Sequence, residues 1–540
     1  MEILTPQIIW KGYDASALPL AVSVLSDKKV GSRRVVLAYF NGPTTTEGVA
    51  RVFVRCVIPA GGGKVPAVVV MPDAHRNVED LDCAALTDSG YAAVIPDWAG
   101  SRGDSPHFTI YPRSMSYAEF DPECLTAVPE DMRFNCWNVW AEVAMRALTF
   151  AAQLDDVDAG RLALIGEGVS VAAVIKAAAV DTRAKCAVTL FSSGQQPDEA
   201  DERDYLRYKV ALADEAYAPM IKIPLLMMIA SNEQDGSVDA MSDTFAHIPR
   251  NAGARLSVSP RRSHAIGGKQ TGNIGAWLKC YLADGEPLPA TPGLTASCSG
   301  HMLYYNIKAP HGCETPELFV AQSMKEGALR NWHAAKLENV GEDEYISRVD
   351  VYNARAAVYA FVNCSRCDGV SVSSPVIEKT PALLGVTETP AMSTRLLYDS
   401  EMGTDDWVSL SPLAGKNPLT MMQGPFGLEG VSSALGTMST FKPGDACYRG
   451  DSELLQIMIY SPTEQEATFT VTALTGSGEG AKYAEYSHTV RLYPADNWRK
   501  LTLRPEDFKS PCAVCPDWTN VVNFRADSDA PVAIASMIWV

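Results

Sequence analysis

Residues 161–180 read RLALIGEGVSVAAVIKAAAV. Leu162 to Ile165 is a short unbroken apolar run of the length expected of a strand buried on both faces. The Ala/Val-rich segment after Ser170 reads as a helix packed on two sides. Five residues, Gly166-Glu167-Gly168-Val169-Ser170, make the corner between them.

A strand-to-helix corner of this length is the place of a nucleophile elbow, whose usual pattern is G-x-S-x-G. Aligned on the first glycine, the nucleophile position is Gly168 and the last glycine has become Ser170. A residue with a Cβ is strained at such a corner by about 1–3 kcal/mol. Glycine relieves that strain while removing the attacking group. The stretch therefore predicts the frame of a serine hydrolase without its serine. Ser170 lies further along and is expected to point elsewhere, and Glu167 is expected to line the crevice.

Working outward, VVLAYF at 35–40 and RVFVRCVI at 51–58 alternate apolar and polar positions, as antiparallel strands do. The character then changes. Buried-strand runs at 67–72, 92–97, 185–191, 224–230 and 254–259 alternate with helical patterns at 78–89, 137–153 and 273–282. This is the pattern of a parallel, doubly wound α/β sheet. A proline- and aromatic-rich insertion at 103–135 has the character of a lid over a site or an interface.

In an elbow fold the acid and the histidine follow in that order. The strand ending at Ala230 runs into a turn with Glu233 and Asp235, either of which suits the acid. RRSHAIGG places His264 after the next strand and before the last helix. With these residues in order, 40–285 resembles the α/β-hydrolases of the dienelactone hydrolase and acetylxylan esterase group. The resemblance is carried by Pro66–Val70, Asp97–Gly103, Val157–Arg161 and the close from Ser263-His264 to Trp277-Leu278. It implies an ester hydrolase with Gly168 at the nucleophile position, Glu233 as acid and His264 as base. Backbone N–H groups of Ala74, His75 or Val169 would serve as oxyanion donors. The family's His-Gly after the third strand reads Asp73-Ala74 here, and a carboxylate at Asp73 would oppose a developing negative charge unless it turned away.

Composition bounds the rest. The chain has 540 residues, 46 basic against 64 acidic, a net charge of −18 and 47% hydrophobic residues, enough for several cores. The charge argues against nucleic acid or an anionic membrane as partner, leaving a small molecule or a glycan. No cofactor is implied, and nothing bears on the oligomeric state. Thirteen scattered cysteines and an N-terminus without an export pattern point to a cytoplasmic protein.

The expected domains are an α/β-hydrolase domain at 1–286, a β-sandwich at 294–386 and a second one at 394–540, joined by proline-containing linkers. The last stretch resembles jelly-roll carbohydrate-binding modules in its strand pattern, so the fold class is α/β followed by all-β. Trp407, Trp498, Trp518 and Trp539 would form either a sugar platform or core. No metal is assigned. Cys364-Ser365-Arg366-Cys367 and Cys512-Ala513-Val514-Cys515 have zinc-ligand spacing if all four thiols meet, and are otherwise reduced thiols in turns. Two functions remain open: a carbohydrate-esterase-like hydrolase impaired at its nucleophile, and a non-catalytic glycan-binding or scaffolding protein.

Overall fold

The computed structural model describes residues 4–540 except 46, 62, 101–104, 116–121, 126, 192–201, 410–417, 449–453, 476–481, 512, 514 and 516. The chain divides into two compact units. The first comprises Met1–Met228, Asp235–Ser257 and Gly272–Leu288; the second comprises Ile229–Gln234, Val258–Thr271 and Pro289–Val540.

The first unit is built on a sheet. Strands β1 (Ser23–Val30), β2 (Arg33–Thr45) and β3 (Gly48–Pro59) form an antiparallel meander, and β3 pairs antiparallel with β5 (Ala92–Pro96). From β5 onward the pairing is parallel, through β4 (Val65–Met71), β6 (Val157–Glu167), β7 (Ala184–Leu190) and β8 (Leu225–Ala230). The central strands are apolar on both faces, and every residue from Ala67 to Met71 is buried. Helix Cys136–Ala152, capped by the Asn135 side chain, packs on β2, β4, β5 and β6, and helix Asn273–Leu282 packs on β6 and β7. This is a doubly wound α/β sheet with an antiparallel meander at one edge. Among the described residues no helix is long and apolar enough to cross a membrane.

The helix expected over 78–89 is shorter, Ala84–Asp88. The reason is local. Asn77 Oδ1 accepts from Glu79 N at 3.0 Å and Asp82 Oδ1 from Ala84 N at 2.8 Å, so side chains take the backbone donors a longer helix would need. Of the 103–135 insertion, residues near Thr109 are tied to the sheet: Thr109 N donates to Asp97 Oδ2 at 2.6 Å, and Tyr111 Oη donates to Trp98 O at 2.7 Å. Ser101–Gly103 lie outside the described residues.

The second unit is dominated by antiparallel β-structure. One sheet has the order Gly293–Ser299, Met302–Lys308, Glu344–Asp350, Glu338–Gly341. Val358–Arg366 pairs with Glu317–Gln322 on one side and Val370–Ser373 on the other. Toward the C-terminus two sheets share one core. The first holds Leu419–Gln423, Glu429–Ser433, Ala533–Trp539, Leu455–Tyr460 and Arg499–Leu503; the second holds Thr437–Thr440, Val521–Ser528, Gln465–Thr475 and Lys482–Leu492. Alternate residues of Leu455–Tyr460 are buried, the period-2 signature of a strand with one face in a core. Trp407, Trp518 and Trp539 belong to that core, and Trp498 is buried in a satellite cluster with Ala533 and Ala535. These four indoles therefore act as packing and form no exposed platform.

Candidate active site

The register of two parallel strands determines what stands at the corner. Met71 at the end of β4 is paired with Gly166 at the end of β6. Two residues further on, this pairing brings Asp73 against Gly168. Gly166 has a separate steric role, because a Cβ there would lie 2.8 Å from Val174 Cγ2 and push the following helix off the strand.

Gly168 has φ +58°, the left-handed region that favours glycine. A Cβ built on it would fall inside the Asp73 carboxylate, on top of Oδ2. The carboxylate does not turn away, contrary to what a working oxyanion hole would need. Asp73 Oδ2 accepts from Val169 N at 3.4 Å, and Oδ1 accepts from His75 N at 3.0 Å. Two of the three candidate oxyanion donors thus face a fixed negative charge. The third, Ala74, is buried.

Ser170 is fully buried and turned inward. Its Oγ donates to Met71 O at 2.7 Å and accepts from Glu167 N at 2.9 Å, which ties the end of β4 to the end of β6. The Glu167 carboxylate accepts from the Ser170 backbone and lies 3.3 Å from Arg76 Nη1, so it closes the corner as a cap and an ion pair.

In the second unit, the expected acid and histidine meet. His264 Nδ1 lies 2.9 Å from Glu233 Oε1, with the glutamate side chain fully buried and the imidazole 29% exposed. The turn before the acid and the loop before the histidine are held together by backbone bonds. Ser231 N donates to Ser259 O at 2.9 Å, Asn232 N to Arg262 O at 2.9 Å, and Arg261 N to Ser231 Oγ at 2.7 Å. Asn232 Nδ2 also donates to Arg330 O at 2.8 Å, and Trp332 Nε1 to Ser231 O at 3.2 Å. His264 itself has φ +42°, strained for a residue with a Cβ and kept only because its surroundings over-determine it. A carboxylate on Nδ1 sets the tautomer and makes Nε2 the atom through which such a histidine exchanges protons. The Glu233 carboxylate makes this contact at Nδ1.

The cysteine pairs separate. Cys364 is buried within Val358–Arg366, Cys367 is exposed, Cys515 is buried beside Asp517 O, and Cys512 lies outside the described residues. Among the described residues no cysteine joins a cluster of His, Cys, Asp and Glu tight enough to hold a metal ion.

No protein-family model matches the sequence, and no curated protein is similar to it in sequence. Solved structures similar to this chain include an acetyl xylan esterase from Paenibacillus sp. R4, at 20% identity and a TM-score of 0.39 over 50% of this chain and 91% of that one. Acetyl xylan esterase 1 from Thermoanaerobacterium sp. JW/SL YS485 is 16% identical, with a TM-score of 0.37 over 50% and 89% of the two chains. The glucuronoyl esterase from Solibacter usitatus is 14% identical, with a TM-score of 0.38 over 51% and 90%.

Proposed function

We propose that this chain is a carbohydrate-esterase-like α/β-hydrolase that does not use the serine acyl-enzyme route. The carrying observation is the filled corner: Gly168 has no side chain, and the Asp73 carboxylate takes both the space that side chain would enter and the N–H groups of His75 and Val169. Losing the nucleophile alone removes about six decades of turnover, or about 8 kcal/mol of barrier. A carboxylate on the oxyanion donors removes much of what would otherwise survive, since one such donor is worth about 3–4 kcal/mol. What this reading retains is the Glu233–His264 pair, a general base able to activate water without a covalent step.

The experiment is an esterase assay on p-nitrophenyl acetate and on acetylated xylo-oligosaccharides. The wild type is expected to show no acyl-enzyme burst. Gly168→Ser alone is expected to remain poor, because its Cβ must first evict the carboxylate. The double variant Asp73→Gly/Gly168→Ser frees both the seat and the donors and is expected to gain burst kinetics, a gain that disappears when His264→Ala is added. A wild type with a full acyl-enzyme burst defeats the proposal. If neither wild type nor double variant turns over ester while the full-length chain binds glycans, the non-catalytic reading replaces it.

A further inference from the structure

A second cluster, in the same loop as the histidine, has no part in ester chemistry. Ser259, Arg262, Gly267, Lys269, Gln270 and Glu317 line a cavity of about 170 Å³ that lies wholly within the second unit. That is well below the ~300–1,000 Å³ of sites for drug-sized molecules, so its occupant is small.

Arg262 is the distinctive member. Among the described residues its half-buried guanidinium makes no hydrogen bond or ion pair, and burial pushes its pKa down. A partly desolvated cation without a partner is a standing cost that a folded protein otherwise avoids. The backbone is shaped around it. A Cβ on Gly267 would run into the guanidinium, 2.8 Å from Cζ, so glycine at 267 lets the charged plane lie flat against the loop. Gly267 N donates to Ser259 Oγ at 3.3 Å, which fixes that loop against the strand carrying Ser259.

The charges on the wall select the ligand. Lys269 Nζ is shared between Glu317, at 3.4 Å, and Glu314, at 3.6 Å. Glu314 stands outside the lining, so the wall itself carries Arg262 and Lys269 against the single carboxylate of Glu317 and is short of one negative charge, with Arg262 unpaired among the described residues. One negative charge presented as two coplanar oxygens matches the guanidinium fork, whereas a dianion would be repelled by Glu317.

We propose that this cavity is a binding site for a small monocarboxylate, held in bidentate fashion by Arg262. The assignment stands apart from the esterase reading, since it invokes neither Gly168 nor the Glu233–His264 pair.

Isothermal titration of the full-length protein tests it, with sodium acetate, sodium glucuronate and inorganic phosphate at matched ionic strength. At least one carboxylate is expected to bind saturably at one site and more tightly than phosphate. Arg262→Gln is expected to weaken it by about tenfold or more, as loss of a charge-assisted bidentate pair does. Gly267→Ala is expected to weaken it several-fold, because the new methyl displaces the guanidinium while its own backbone conformation suits alanine. Without ligand, Arg262→Gln is expected to melt at or above the wild-type temperature, since it removes an unpaired charge. Absence of saturable carboxylate binding, a preference for phosphate, binding indifferent to Arg262→Gln, or a ligand-free Arg262→Gln that melts well below wild type each overturns the proposal.

Discussion

The corner at Gly168 and the loop at His264 both adopt left-handed backbone, and they differ in how the strain is handled. At Gly168 the left-handed conformation costs nothing, because no Cβ is present, and a carboxylate from β4 fills the space. At His264 the left-handed conformation is retained with a full side chain, hydrogen-bonded to a buried glutamate. One region is unstrained and filled, and the other is held under strain. A strained residue persists only where its surroundings stabilise it more than the strain opposes it, so the His264 loop carries a constraint that the corner does not.

The strongest way to break that comparison is to remove the imidazole. His264→Ala leaves the Glu233 carboxylate fully buried without its ring partner and retains a Cβ in the left-handed region. We expect a loss of about 3 kcal/mol in chemical denaturation, the upper end for leaving a buried acceptor short of a hydrogen bond. His264→Gly relieves the backbone and should recover about 1 kcal/mol of that loss. If both variants match wild type, the pair is not held under load and the contrast fails.

The corner should respond more weakly and in a different way. Gly168→Ala adds a methyl group at φ +58° and must push the Asp73 carboxylate off the His75 and Val169 N–H groups. We expect a loss of about 2 kcal/mol, from backbone strain of about 1 kcal/mol plus displaced hydrogen bonds. In an Asp73→Gly background the same substitution should cost only the backbone component. A double-mutant cycle measures the difference, and a coupling near zero would show that Asp73 does not occupy the seat.

Much of this was legible beforehand because it depends on short-range pattern. The apolar run 162–165 and the Ala/Val helix after it locate the corner, so Gly168 can be counted off within it. The acid and histidine each follow a buried strand, and the structure brings Glu233 and His264 together. The two oxygens of Asp73 were not legible, because they depend on register. Only the pairing of Met71 with Gly166, across ninety-five residues of chain, places a side chain from the end of one strand at the corner of another. Arg262 was hidden for a similar reason: its lack of a partner among the described residues is a statement about three-dimensional surroundings. The short helix at 84–88 shows the opposite limit, where Asn77 and Asp82 side chains outcompete a helical pattern.

The smallest expected effect sharpens the account of why the relaxed corner keeps its shape. Ser170 Oγ bridges Met71 O and Glu167 N inside the core and so ties the two strand ends together. Ser170→Ala removes the bridge and leaves a buried acceptor and donor to find new partners, which should cost about 1–2 kcal/mol. The measurable consequence lies at Asp73, two residues beyond Met71. If the staple fixes the register, amide exchange at Val169 and His75 should quicken in Ser170→Ala while exchange in the middle of β6 is unchanged. Uniform quickening across β6 would assign Ser170 to general core stability, and unchanged exchange at both amides would mean that Asp73 is positioned by β4 alone.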